Sequence, residues 1–256
     1  MRALVTGAGG RLGRAMAVRL ARRGHAVAVH YHESAAGAEE TAAMVQAEGA
    51  VAETVRGDLL DRDVARALLP RAAGALGGPV TVLVNNASIF ERDDIRTATP
   101  EGWDRHLGSN LEAPFWLMQA MAEQGLEPGG DGEPLASGLV VNMVDQRVLK
   151  PTPEFATYSL AKAGLWWLTR TGAQALAPAI RVNAIAPGPT LRASRQSEAH
   201  FAAQRAATIL GRGGDPEGIA DALDYLLGAR AVTGQVICVD GGQHLGWRTR
   251  DVLGGG

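Results

Sequence analysis

The chain turns into glycine almost as soon as it starts. Arg2 to Thr6 (RALVT) reads as a short strand, Thr6 to Gly13 (TGAGGRLG) as a tight turn, and the residues through Arg23 as a helix. This order constrains the fold more than any other feature. A strand that passes through glycines into a helix lets the backbone approach a pyrophosphate and sets that group on the helix N-terminus. Such a turn also serves as a plain strand-to-helix connection. Its place at the head of a strand–helix–strand unit gives dinucleotide binding the stronger claim.

The unit then repeats. Further strands are expected at Ala26–Tyr31, Ala52–Arg56, Val80–Val84, Leu139–Met143, Ile180–Ala186 and Gln235–Val239. Between them lie helical patterns at about Ala36–Glu48, Arg62–Leu76, Trp103–Glu123 and Tyr158–Gln174, and a last helix begins at Asp215-Pro216-Glu217, with Asp as N-cap and Pro at the first position. Seven strands alternating with helices predict an α/β fold: one Rossmann-type doubly wound parallel sheet, helices on both faces, right-handed crossovers. No internal repeat or second domain is visible, so residues 1–256 read as one unit. Gly125 to Gly138 is Gly/Pro-rich and acidic; the alternation resumes after it, which makes it a surface loop and not a linker. Residues 189–214 are polar and partly helical, the natural lid over a substrate, and the tail 243–256 carries Trp247, expected as a packing anchor within the fold or at a subunit contact ahead of a residue that reaches a neighbouring active site.

Composition narrows the function classes. At 46% apolar and 20% charged residues, the chain has enough material for a sizeable core. A net charge of −2 gives no electrostatic case for nucleic acid or an anionic membrane. The single cysteine, Cys238, excludes an internal disulfide, reads as a buried small hydrophobe, and fits a reducing, cytoplasmic setting. The chain is expected to enter its first strand without a leader, and no apolar run approaches the roughly 20 residues of a membrane span.

In an open sheet of this kind, ligands meet the carboxyl ends of the strands. At the end of the second strand an acid would hold the 2′-hydroxyl of NAD; the position holds Tyr31. Arg11, His30, His32 and Ser34 lie near and suit a 2′-phosphate, while Glu33 opposes one, so NADPH is expected ahead of NADH. Two histidines separated by one residue make a poor metal site, and no metal is expected. Asp58 and Leu59 end the third strand, where an adenine is held; Asp58 serves equally as a cap for the following helix. Asn85-Asn86-Ala87-Ser88 leave the fourth strand, where asparagines suit turns as well as ligands. Pro187-Gly188-Pro189-Thr190 leave the sixth.

The chemistry gathers between Val140 and Thr169. Tyr158 and Lys162 are four apart and share a helix face. An ammonium beside a phenol stabilises the phenolate and lowers its pKa, making Tyr158 a general acid or base; the pair also occurs on ordinary surface helices. Asp145 stands at the strand end, where burial is expected to raise its pKa, so that the two groups titrate as a coupled pair.

Thr6-Gly7…Gly13, Asp58, Asn85-Asn86-Ala87, Asn110, Tyr158-x-x-x-Lys162, Pro187-Gly188 and Asp240-Gly241-Gly242 together resemble the short-chain dehydrogenase/reductase family over about Arg2 to Gly246. Two departures point to a branch. The family's central glycine is Arg11 here, and its catalytic serine, thirteen residues before the tyrosine, is Asp145. With HYHES, NNASIF, NMVD and LAPAIRVNAIAPG, these resemble the pteridine and dihydromonapterin reductases. That resemblance implies a cofactor held by Gly7, Arg11, Leu12, Gly13, His30, Tyr31, His32, Ser34, Asp58, Leu59, Asn86, Ala87, Ser88, Tyr158, Lys162, Pro187, Gly188 and Thr190. It implies a pterin stacked on Phe90 and lined by Arg11, Ser88, Asp145 and Tyr158. Lys162 would hold the nicotinamide ribose, and Asn110 a water chain to Lys162.

The expected activity is NADPH-dependent reduction of a pterin-type C=N bond. The alternatives are a carbonyl reductase or alcohol dehydrogenase of the same family, acting on a keto or acyl substrate, and a catalytically silent NADP-binding sensor. The family usually forms homotetramers through the two long helices, and Leu165-Trp166-Trp167-Leu168 suits such an interface or the core.

Overall fold

The computed structural model describes residues 1–192 and 196–247. β1 (Arg2–Val5), α1 (Arg11–Arg22), β2 (Ala26–Tyr31), α2 (Ala35–Ala47), β3 (Ala52–Arg56), α3 (Arg62–Ala75) and β4 (Val82–Asn85) follow the expected alternation. The later strands of the sheet are β7 (Gly138–Met143), β8 (Ile180–Pro187) and β9 (Val236–Val239); between them run α6 (Ala156–Leu176), α7 (Glu198–Ala206) and α8 (Pro216–Gly228). Seven strands pair in parallel in the order β3-β2-β1-β4-β7-β8-β9, the doubly wound sheet expected. The direction of winding reverses between β1 and β4, so ligand is expected at their carboxyl ends.

Strand alternation builds the two halves of the core. Ala3, Val5, Val27, Val29, Val84 and Val141 face α1 and α8. The residues between them, Leu4, Ala28, Leu83 and Val140, face α3 and α5 (Ala113–Glu123). Burial on both faces explains why β7 reads as an uninterrupted apolar run: all six residues are buried.

The sequence expectation needs correcting in three places. The helix expected over Trp103–Glu123 is α4 (Pro100–Leu107), a π-helical turn (Gly108–Glu112) and α5 in succession. Pro114 lacks the N–H that would bond four residues back and clashes with that carbonyl, so the backbone widens just before it. Asn110 lies in this turn. The loop over 125–138 contains a small antiparallel hairpin of β5 (Gly129–Gly130) and β6 (Pro134–Leu135). The cap of α3 is Asp61, whose side chain accepts from the N–H groups of Asp63 and Val64, whereas Asp58 accepts from Leu60 N–H at 3.0 Å.

The described part of 189–214 holds α7, and Arg205 donates to Pro189 O at 2.8 Å and Gly213 O at 3.1 Å. Asp215 caps α8 as expected, accepting from Gly218 N–H at 2.8 Å. Trp247 is largely exposed, and the tail beyond it lies outside the described residues. Cys238 is only partly buried. Among the described residues no helix is long and apolar enough to cross a membrane.

Candidate active site

The glycine turn forms one wall of a cleft of about 600 Å³ at the carboxyl ends of β1, β2 and β4. Gly7 has φ +63°, and a Cβ on it would stand 3.0 Å from Ala87 Cα. A Cβ on Gly13 would meet Ala8 Cα and Gly7 O at 2.7 Å. The turn therefore admits only glycine at both places. α1 starts at Gly10 with no side-chain cap and no acid in its first turn. Its first N–H groups are unclaimed within the helix, an arrangement that suits a pyrophosphate. Thr6 Oγ1 accepts from the N–H groups of Asn86 and Ala87, both at 2.9 Å, and Asn86 Nδ2 donates to Thr6 O at 2.7 Å, so the end of β4 is sewn to the turn. These features fit a dinucleotide.

The adenosine end differs in part from expectation. Arg11, Leu12, His32, Asp58, Leu59 and Ser88 line the cleft, as does Glu33. His30 borders it but is 2% exposed: its Nδ1 accepts from Gly7 N–H at 3.0 Å and its Nε2 donates to Gly57 O at 3.1 Å. Burial lowers its pKa to about 4. A neutral ring with both nitrogens engaged is a strut under the glycine turn, not a cation for phosphate. Tyr31 is half-buried and packs in part against the core, and Ser34 is exposed at the start of α2, beside Gly9 of the glycine turn. His32 stands 3.9 Å from Asp58, both partly exposed.

A second cavity, of about 170 Å³, opens beside the first, and Leu191 borders both. Here β7 ends and a 3₁₀ turn, Gln146–Val148, begins, capped by Asp145. Tyr158 Oη donates to Asp145 Oδ2 at 3.0 Å. One turn along α6, Lys162 is 2% exposed; its Nζ donates to Met143 O at 2.7 Å and lies 5.7 Å from the Tyr158 ring centre. The pair occupies the buried face of α6 with Ala161 and Leu165. Burial lowers the Lys162 pKa to about 8, with Asp145 acting against it. The expectation that Lys162 would bring Tyr158 down is reversed. Burial first, and the Asp145 carboxylate next, push the phenol well above its ordinary value. Tyr158 is thus held as a protonated donor.

Two neighbours were not expected. Arg147 pairs with Asp145 through Nη1, 3.3 and 3.2 Å from the two carboxylate oxygens. Phe155 stacks on Phe90 with ring centres 4.3 Å apart and planes at 9°, and Phe90 meets Tyr158 edge-on at 4.7 Å. The Arg147 guanidinium lies over both phenyl rings. Phe155 adopts φ +58°, the one non-glycine residue of the described chain with positive φ, and its N–H donates to Asp93 O at 2.7 Å. Strain of this kind collects at functional sites. His106 braces the same corner: Nε2 accepts from Glu91 N–H at 3.1 Å, and Nδ1 meets Thr157 Oγ1 at 2.6 Å.

Asn110 is fully buried, donating to Ile89 O and His106 O and accepting from Ser88 Oγ at 2.6 Å. Its side chain positions Ser88. Pro187 and Gly188 line the second cavity, while Thr190 turns back to donate to Gly188 O.

The chain is similar in sequence and fold to known proteins. A family model described as enoyl-(acyl carrier protein) reductase matches residues 7–244. The chain is 36% identical over 250 residues to the granaticin polyketide synthase putative ketoacyl reductase 2 of Streptomyces violaceoruber, covering 95% of this chain and 96% of that protein. Among solved structures it is similar to FolM alternative dihydrofolate reductase 1 from Brucella suis in complex with NADP, at 41% identity and a TM-score of 0.90 over 98% of each chain. It is also similar to the landomycin C-6 ketoreductase LanV with bound NADP and rabelomycin, at 32% identity and a TM-score of 0.82 over 96% of each chain.

Proposed function

The chain belongs to the short-chain dehydrogenase/reductase family, and on that premise we propose that it is an NADPH-dependent reductase of a pterin-type C=N bond, in a dihydropterin or dihydrofolate-like substrate. The observation that carries this reading is the Asp145 carboxylate 3.0 Å from Tyr158 Oη. A ketone that takes hydride becomes an alkoxide and needs donors around it, which a carboxylate opposes. A C=N bond takes hydride at carbon and a proton at nitrogen and develops no oxyanion. Its ring N–H groups are donors that a carboxylate accepts.

The reduced nicotinamide supplies the hydride when bound. Tyr158 holds the proton on Oη and releases it to the ring nitrogen. Asp145 orients that hydroxyl and accepts from the ring. Lys162, a buried cation one turn away, offsets the phenolate left behind. Phe90 offers its face to the ring, and Asn110 positions Ser88. Gly7, Gly13 and the α1 N-terminus receive the pyrophosphate, and Asp58 and Leu59 the adenine. Arg11 and His32 face a 2′-phosphate, with Glu33 opposing; NADP in the Brucella suis structure supports NADPH over NADH.

A homotetramer formed through α5 and α6 is part of the proposal, supported by Phe115 at 43%, Leu160 at 53% and Trp167 at 65% exposure on those helices. Leu165 of the same apolar run belongs to the core. A cytoplasmic setting agrees with the single free cysteine.

A second reading, a keto or acyl reductase, has support from the ketoreductase relatives and from Arg147, which offsets the charge of Asp145. A silent NADP-binding sensor has less, because the Tyr158–Lys162 pair is intact. The deciding experiment follows NADPH consumption with a dihydropterin, an oxidised pterin, dihydrofolate and a panel of ketones, with NADH in parallel. Pterin-dependent turnover that disappears in Tyr158→Phe and Asp145→Ala is expected. Ketone turnover with inert pterins selects the second reading, and tight NADPH binding without turnover the third.

A further inference from the structure

The turn that follows β7 carries two buried polar atoms with no protein partner. Gln146 is 4% exposed, and among the described residues its Oε1 accepts no hydrogen bond. Arg147 gives Nη1 to Asp145, but its Nε–H is also buried and unpartnered. Buried polar groups are hydrogen-bonded in the great majority of native structures, so each orphan asks for an explanation. These two are consecutive, one an acceptor and one a donor, and both residues line the 170 Å³ cavity beside Asp145, Tyr158 and Phe90.

We infer that Gln146 and Arg147 form a recognition edge for a flat cyclic amide, with a ligand ring N–H donating to Gln146 Oε1 and the adjacent ring carbonyl accepting from Arg147 Nε. The inference rests on the reading of this cavity as the substrate site and adds which edge of the ring is read. The guanidinium is pinned for the task, lying 5.0 Å from the Phe155 ring centre and 5.7 Å from that of Phe90. Phe90, held by the parallel Phe155 ring, gives the cavity a flat wall. The cavity is smaller than the roughly 300–1,000 Å³ usual for drug-sized ligands, which suits a small bicycle. A simple ketone carries an acceptor and no donor, and leaves Gln146 Oε1 unpaired.

The test is calorimetric binding in the presence of NADP⁺ to the wild-type protein and Gln146→Leu. The ligands are a pterin, a lumazine, and quinoxaline as a bicycle of similar size without the amide edge. Loss of one neutral buried hydrogen bond corresponds to about a tenfold weaker affinity. Pterin and lumazine are expected to weaken by about that factor in Gln146→Leu, with quinoxaline and NADP⁺ unchanged. Gln146→Met, of similar length, gives the same readout should the leucine variant fail to fold. Equal losses for all three bicycles, or none for the amides, reduce Gln146 to packing and overturn the inference. So does a wild-type protein that binds no cyclic amide. Cyclic amides bound through Gln146 but never reduced leave the inference standing and remove the reductase reading.

Discussion

The two cavities are built by different means. The dinucleotide cleft is made of backbone: Gly7 and Gly13 admit no Cβ, α1 leaves its first N–H groups open, and His30 props the turn from below. The cavity proposed for substrate is lined by side chains brought from separate segments, Phe90 after β4, Asp145 to Arg147 after β7 and Tyr158 near the start of α6, with Phe155 stacked on Phe90. A backbone site is fixed by the fold and tolerates little. A side-chain site can change its chemistry by substitution while the fold stays, and structures similar to this one include an alternative dihydrofolate reductase and a landomycin C-6 ketoreductase.

The largest effects test whether the two sites are separable. Tyr158→Phe removes the proton donor, and kcat with a pterin is expected to fall by about 10²- to 10⁴-fold. NADPH affinity, measured by fluorescence titration, should stay within about twofold, since a lost hydroxyl on the substrate side leaves the glycine cleft intact. Asp145→Ser should abolish pterin turnover and leave or improve any ketone turnover. A large loss of NADPH affinity in either variant would mean that the two cavities are not independent.

Acid stability probes the cleft from beneath. His30 stays neutral in the fold down to about pH 4, whereas in the unfolded chain it takes a proton near 6.5. Between those values the unfolded state binds more protons. The contribution is full above about pH 6.5 and is lost as pH falls toward 4, up to about 3 kcal/mol. His25, at the N-terminal end of β2, is likewise lowered to about 4 by burial and acts in the same direction. Thermal unfolding between pH 7 and 4 should flatten in both His25→Gln and His30→Gln. Only His30→Gln should also weaken NADPH binding, because only that ring holds Gly7.

Most of the cleft was legible in the sequence because a glycine turn between a strand and a helix has few geometries. The exception was His30, where proximity to the strand end was read as contact with the anion, and burial with both ring nitrogens engaged decided otherwise. The substrate side was legible only where spacing along one element fixes it, as with Tyr158 and Lys162 on α6 or Asp145 at the end of β7. Phe155 and Arg147 carried no periodic signal: the fold alone brings Phe155 to Phe90. The π-turn at Asn110 did have one, Pro114 inside an apolar helical pattern.

Gly13→Ala sharpens the contrast at lower magnitude. The new methyl would stand 2.7 Å from backbone atoms of Ala8 and Gly7, which cannot step aside as a side-chain tip would. Overpacking of this kind costs about 1–3 kcal/mol. A lower Tm and weaker NADPH binding are expected together, whereas the substrate-side variants should separate stability from cofactor affinity.

The smallest effect is the most discriminating. Phe155 combines a left-handed backbone with a ring stacked on Phe90 beneath Arg147. Phe155→Leu keeps the backbone cost and loses the ring, with a stacking contribution of about 0.5–1.5 kcal/mol. Phe155→Gly loses the ring as well but removes the steric penalty of positive φ, about 1–2 kcal/mol. The glycine variant should therefore melt at or above the leucine variant. Both should raise KM for the ring substrate several-fold with kcat nearly unchanged, because Tyr158 and Asp145 keep their bond. If KM followed Tm instead, Phe155 would be a helix-start residue whose ring matters only for packing. The substrate wall would then be Phe90 alone, and the side-chain site would be simpler than the geometry indicates.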